Sequence, residues 1–220
     1  MAYKVVIDAG HGGTDPGAVY KGRQEKDDNL RLALAVGRIL SQNGVDVVYT
    51  RTTDVYQTPF EKARIANQTG ADWFISFHRN SSPQPNQYSG VESLVYDLSG
   101  RKVDMAENIN GALGELGFKN LGVRARPGLV VLRRTQMPAV LVEVGFINND
   151  ADNALFDEKF DEIARASPTR SWEHWRRKRW RSRLQGSPCF TGYRWACSEK
   201  NNTPITCSMN CRTRDFRHTF

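Results

Sequence analysis

The chain has 220 residues, of which 39% are hydrophobic and 25% charged, with a formal net charge of +7. That length suits one ordinary domain with an appendage, or two small domains, and no apolar run reaches the roughly 18 residues that a membrane-spanning helix needs. The apolar run after Met1 stops at Asp8, too short for the core of a secretory signal, so the sequence predicts neither an integral membrane protein nor Sec-dependent export.

Residues 1–166 alternate between strand-like and helix-like patterns. Lys4–Asp8 reads as a strand feeding the loop Ala9-Gly10-His11-Gly12-Gly13. Asp28–Leu40 has apolar residues at helical spacing and stops at Asn43-Gly44. Val45–Tyr49 is the next strand, Phe60–Gln68 a helix ended by Thr69-Gly70, and Asp72–His78 a buried strand. Val91–Tyr96 reads as a strand and Val103–Leu116 as a helix; Ala139–Val144 is a strand introduced by Pro138, and Asp150–Ala166 is one closing helix. This order predicts an α/β domain of three layers, a mostly parallel twisted sheet with helices on both faces.

In such sheets ligands gather at the carboxyl ends of the strands. Residues 1–166 hold two histidines, His11 and His78, and both fall at strand ends, as does Glu143. A lone strand-end histidine is ordinarily structural, but two with a carboxylate are the donors of a catalytic zinc site with an open position. The long separations do not decide the matter, and the short helical HExxH pattern is absent. The segment Arg23–Asn29 reads equally as a charged helix start, where acids suit the helix dipole, and as a loop that brings Glu25 toward His11. Gly10, Gly12 and Gly13 match no phosphate-binding spacing and fit a close backbone approach beside His11.

Four separated stretches carry a family resemblance. Val6-Ile7-Asp8-Ala9-Gly10-His11-Gly12-Gly13, Glu25-Lys26-Asp27 before Asn29, Ser76-Phe77-His78-Arg79-Asn80, and Leu141-Val142-Glu143-Val144-Gly145-Phe146 closely resemble the zinc-dependent N-acetylmuramoyl-L-alanine amidases with an amidase-3 catalytic domain. The resemblance covers about residues 3–166; Phe77 and Arg79 depart from the small or aliphatic neighbours usual beside the second histidine. It implies one zinc ion held by His11, Glu25 and His78, with Glu143 as the catalytic carboxylate and Asn80 and Arg79 lining the substrate side. The implied reaction is hydrolysis of the amide between the lactyl group of N-acetylmuramic acid and L-alanine of the peptidoglycan stem, by a monomer with no membrane span. A catalytically silent wall-binding protein of the same fold is the alternative. With no leader in view, the expectation is synthesis in the cytoplasm and action on the wall after lysis or non-classical export.

The last 54 residues are a different polymer. Residues 1–166 carry 19 Lys+Arg against 21 Asp+Glu, whereas residues 167–220 carry 12 against 3. All four cysteines and four of five tryptophans lie in the tail, with Leu184 and Ile205 its only aliphatic residues, so it cannot build a core and reads as disordered or poorly folded. Its basic, Trp-rich stretch Trp172–Arg181 has the composition of a nucleic-acid binder, and its cysteine spacing fits no zinc motif. No physiological nucleic-acid partner is expected, because a displaced reading frame explains the composition. Compatible codons read one nucleotide earlier continue the Ile163–Ala166 helix, then give an acidic linker and a segment resembling a SPOR wall-binding module. The prediction is a one-nucleotide displacement near codon 166, natural or from sequencing. Resequencing the coding DNA checks it, and a gene in which no single-nucleotide shift near that codon opens such a frame refutes it.

Overall fold

The computed structural model describes residues 3–166. The poorly folded tail and the displaced frame expected for 167–220 lie outside the described residues. In chain order the elements are β1 (Lys4–Ala9), β2 (Val19–Tyr20), β3 (Arg23–Gln24), α1 (Glu25–Gln42), β4 (Asp46–Tyr49), α2 (Pro59–Gln68), β5 (Trp73–Asn80), β6 (Val91–Val95), α3 (Arg101–Glu115), β7 (Asn120–Ala125), α4 (Val130–Arg133), β8 (Ala139–Phe146), α5 (Asp150–Glu158) and α6 (Phe160–Ala166).

Six strands form one sheet in the order β4-β1-β5-β8-β6-β7, and β2 with β3 forms a separate two-stranded ribbon. β4, β1, β5 and β8 run parallel; β6 is antiparallel to β8, and β7 is parallel to β6. Alternation of side chains along the strands divides the core in two. Val5, Ile7, Ala9, Trp73, Ile75, Phe77, Val140, Val142 and Val144 share a cluster with residues of α1, α3, α5 and α6, including Leu32, Val36, Ile109, Phe156 and Ile163. Val6, Phe74, Leu94, Ala139 and Leu141 point the other way, to Ala66 of α2 and to Val131 and Leu132 of α4. The three-layer α/β architecture is therefore as expected.

Local signals explain most boundaries. α2 begins under a capping box in which Thr58 and Glu61 satisfy each other's backbone N–H, with Pro59 opening the helix. α1 starts three residues earlier than its apolar pattern suggests, because the Glu25 and Lys26 N–H groups donate to the carbonyls of Ala18 and Pro16. The expected single closing helix is two: Lys159 leaves helical geometry (φ −112°, ψ 28°), and Ile163 and Ala164 of α6 remain buried in the core. β7 and α4 were not expected. β7 is an edge strand with no fully buried residue, its short alternation of Leu121, Val123 and Ala125 interrupted by Gly122, and α4 is one turn long.

Beneath the end of β1 lies a buried ion pair. Asp8 is 0% exposed and accepts from Lys62 Nζ at 2.8 Å, Thr50 Oγ1 at 2.6 Å and Ser76 Oγ at 2.6 Å. Lys62, 4% exposed, also donates to the carbonyl of Ala9. Burial alone would raise the Asp8 carboxyl; the Lys62 charge and the three donors outweigh it and hold the group below its ordinary value. A depressed acid contributes stability that is present above its unfolded value of ~3.9 and lost as pH falls through the folded value. Lys62→Met, which strands the Asp8 charge, should cost about 3–5 kcal/mol in urea unfolding at neutral pH. Asp8→Asn added to it should recover much of that loss, and the acid side of the wild-type stability profile should flatten in the double variant.

Candidate active site

β1, β5 and β8 lie side by side, and their carboxyl ends deliver the candidate residues to one edge of the sheet. His11 follows β1 at a positive φ of 58°, a conformation uncommon for residues other than glycine, though Asn, Asp and His adopt it more readily than most. It is fixed there by a backbone bridge in which Gly12 and Asp15 exchange N–H···O bonds of 2.9 and 3.1 Å. Asp15 Oδ2 meets His11 Nδ1 at 2.8 Å, which leaves Nε2 facing inward, 3.2 Å from Glu25 Oε1. His78, near the end of β5, places Nδ1 3.0 Å from the same Glu25 oxygen. A side chain on Gly10 would overlap the His78 ring, so the close approach expected at this glycine is made to His78.

Glu25 opens α1 and is 4% exposed. Its Oε1 accepts from Asn29 Nδ2 and the Arg79 N–H, each at 3.1 Å, and its Oε2 accepts from the Ala18 N–H at 2.9 Å. One ligand atom from each of His11, Glu25 and His78 lies within 4.8 Å of the others. Burial would raise the Glu25 carboxyl, but its bonds and charge contact with the two imidazoles drive it far below the usual range. Burial pulls His11 down; Glu25 and then Asp15 more than reverse this and raise it to about 9.

These donors suit a divalent cation on chemical grounds. His11 has a carboxylate at both ring nitrogens, and a neutral imidazole has one N–H to give. The second contact therefore requires either an extra proton or a cation in the proton's place. Two imidazoles and one carboxylate, with Asp15 orienting one ring, form a three-donor set of the zinc type.

Glu143 stands opposite His78 in the β5–β8 register. Its Oε2 is buried and takes no hydrogen bond. Burial first, with further repulsion from Glu25 and Glu92, pushes its carboxyl up to about 7, although His78 and His11 oppose this. Asn80 lies at the same edge, where its Nδ2 donates to Glu92 Oε1 at 2.7 Å. The structure does not bring the Arg79 guanidinium to the site. The side chain after His78 faces the opposite side of the sheet, 2% exposed, bonded to Asp28 and Asn153 and lying over the Phe156 ring. Arg79 reaches the site only through its backbone N–H.

The sequence reading missed four residues around this centre. Asp15 and Asn29 orient ligands, and Glu92 flanks Glu143. Arg51, 3% exposed, donates to the carbonyls of Ala9, Gly10 and Lys26, joining the segments that carry His11 and Glu25. Asn29, four residues after Glu25, lies at one-turn spacing on α1; that spacing was the available signal.

Two imidazoles and a carboxylate beside a second carboxylate, at the end of a parallel α/β sheet, define a class of site that can hold a cation next to a proton acceptor. The family is specific. Residues 5–167 match the family model described as N-acetylmuramoyl-L-alanine amidase, and the chain belongs to this amidase-3 family. It is 37% identical over 153 residues to the sporulation-specific N-acetylmuramoyl-L-alanine amidase of Bacillus subtilis, covering 68% of this chain and 58% of that protein. It is 38% identical over 171 residues to the endolysin of Bacillus phage SPP1, covering 74% and 63%. The chain thus spans about three fifths of the length of these curated relatives. The crystal structure of an N-acetylmuramoyl-L-alanine amidase from Clostridium difficile superimposes with a TM-score of 0.71 at 29% identity, covering 85% of this chain and 99% of that one.

In the metal-free chain, His11 should titrate near pH 9 by imidazole NMR, and Asp15→Asn should lower that value. Because His11 is raised above its unfolded value of ~6.5, its contribution to stability is complete below that pH and is lost as pH rises through about 9.

Proposed function

We propose that this protein is a zinc-dependent amidase that cleaves the bond between the lactyl group of N-acetylmuramic acid and L-alanine of the peptidoglycan stem. The observation that carries this reading is the convergence of His11, Glu25 and His78, with donor atoms within 4.8 Å, beside the unpartnered oxygen of Glu143, in a chain of this family. His11, Glu25 and His78 would hold the metal. When bound, zinc supplies Lewis acidity, polarising the scissile carbonyl and lowering the pKa of a water from ~15.7 toward ~7.

The remaining chemistry belongs to the chain. Glu143 Oε2 accepts a proton from the attacking water and returns it to the L-alanine nitrogen as the C–N bond breaks, so the lactyl carboxylate and the free amine are the products. In the metal-free chain burial holds the Glu143 carboxyl above its ordinary value, and a metal at the three donors would favour the ionised form that accepts the water's proton. Asp15 keeps the His11 ring turned inward, while Asn29 and the Arg79 N–H keep the Glu25 carboxylate in place. Glu143 accepts no hydrogen bond at Oε2, which leaves that oxygen available to the water's proton.

Incubating the zinc-loaded chain with purified peptidoglycan should release stem peptides bearing a free L-alanine amine, read by mass spectrometry. Glu143→Gln should lower the rate by about 10²–10⁴-fold with zinc content unchanged, whereas His78→Ala should lose the metal. Chelation should abolish release and added zinc restore it. Retention on the wall with no release by the metal-loaded wild type would instead identify a binding protein of the same fold.

A further inference from the structure

The reversal of β6 against β8 places Glu92 opposite Glu143. Glu92 is 8% exposed; its Oε1 accepts from Asn80, and its Oε2 lies 3.1 Å from Arg124 Nε. Arg124 belongs to the edge strand β7, in register with Leu94, which is itself in register with Leu141. Leu94 and Leu141 share one core cluster, and Glu143 lies two residues beyond Leu141, so alternation puts all of these side chains on one face. His78, Glu143, Glu92 and Arg124 therefore form a line from the donor cluster to the sheet edge. The Arg124 side chain is 53% exposed, and its two terminal nitrogens take no acceptor among the described residues. Arg126, two residues further on, is also exposed.

A guanidinium whose Nε lies 3.1 Å from a buried carboxylate is drawn to it by charge while its outer N–H pair faces solvent, free to meet a second carboxylate in a fork. The identity of that carboxylate follows from the substrate's chemistry. On the sugar side of the scissile bond the lactyl carboxyl is itself the acyl half of the amide and carries no charge. The free carboxylates lie in the stem peptide, beyond L-alanine.

We propose that Arg124, oriented by Glu92, is a specificity-determining residue that binds a stem-peptide carboxylate, so that the enzyme prefers substrates whose residue after L-alanine carries a free carboxylate over those in which that group is an amide. This rests on the amidase reading above. Pairing with Glu92 leaves the spot near neutral, so the selection comes from the geometry of the N–H fork rather than from long-range attraction.

The test is competition between two N-acetylmuramoyl-L-alanyl peptides, identical except for a free carboxylate or a carboxamide on the residue after L-alanine. Both are given to the full, zinc-loaded chain. The wild type should favour the carboxylate by about tenfold in kcat/KM. Arg124→Gln should bring that ratio to about one, and Arg124→Lys, which keeps the charge without the fork, should fall between. The ratio is taken within one protein, so a reduced folded fraction cancels. Glu92→Gln combined with Arg124→Gln should also give a ratio near one, without leaving Glu92 stranded as a buried charge. A wild-type ratio at or below one, or a ratio that Arg124→Gln leaves unchanged, overturns the proposal while the amidase reading stands. Cleavage of neither peptide by the wild type overturns both.

Discussion

The carboxylate of Glu25 lies between His11 and His78 while accepting from Asn29, from the Arg79 N–H and from the Ala18 N–H. Those partners come from the one loop between β1 and β2 (His11 and Ala18), from β5 (His78 and Arg79) and from α1 (Asn29). A single buried anion thereby fixes three stretches of chain relative to one another, and its charge is tolerable only because two imidazoles and three N–H donors meet it. Removing any partner leaves charge exposed to a low-dielectric surrounding, so the order of the site and the order of this end of the sheet are one property. Arg51 extends the same constraint by holding the carbonyls of Ala9, Gly10 and Lys26 with one guanidinium.

The two sides of the sheet divide the work at that edge. On one side His78, Glu143 and Glu92 stand in consecutive cross-strand positions. On the other, Arg79 meets Asp28 at 2.6 Å, Arg23 meets Asp28 and Asp157, and both guanidinium groups lie over Phe156. This second network ties β5 to α1 and α5. It anchors the strand on which His78 sits, and one residue of alternation separates the two roles.

That single step accounts for how the sequence misleads at Arg79, which adjoins a histidine of the site and yet points away from it. His11, Glu25, His78 and Glu143 were legible because each falls in a short motif beside a strand end or helix start. The strands β1, β5 and β8 were legible because a buried central strand must be apolar. β7 was not, since its alternation of Leu121, Val123 and Ala125 with Asn120, Gly122 and Arg124 is short, includes a glycine and buries no residue fully. Glu92 was passed over because an isolated acid within a strand reads as a solvent-facing position. Its place beside Glu143 depends on β6 running antiparallel, which no periodicity within β6 encodes.

The reversal of β6 has a further consequence for the whole site. In a wholly parallel sheet, β6 would present its carboxyl end, Val95, beside Glu143. Running the other way, it presents its first residues, Val91 and Glu92, and its far end departs toward α3 on the opposite edge. Glu92 then adds a second carboxylate to the surroundings of Glu143 and contributes to the rise of that carboxyl to about 7, after burial and Glu25. The same reversal carries β7 to the sheet edge with Arg124 within reach of Glu92. Four parallel strands hold His11, His78 and Glu143; the two reversed strands supply the charge beside Glu143 and the cation beyond it. The antiparallel junction is therefore where the sheet acquires its asymmetry, with the donor cluster on one side of Glu143 and a carboxylate and a guanidinium on the other.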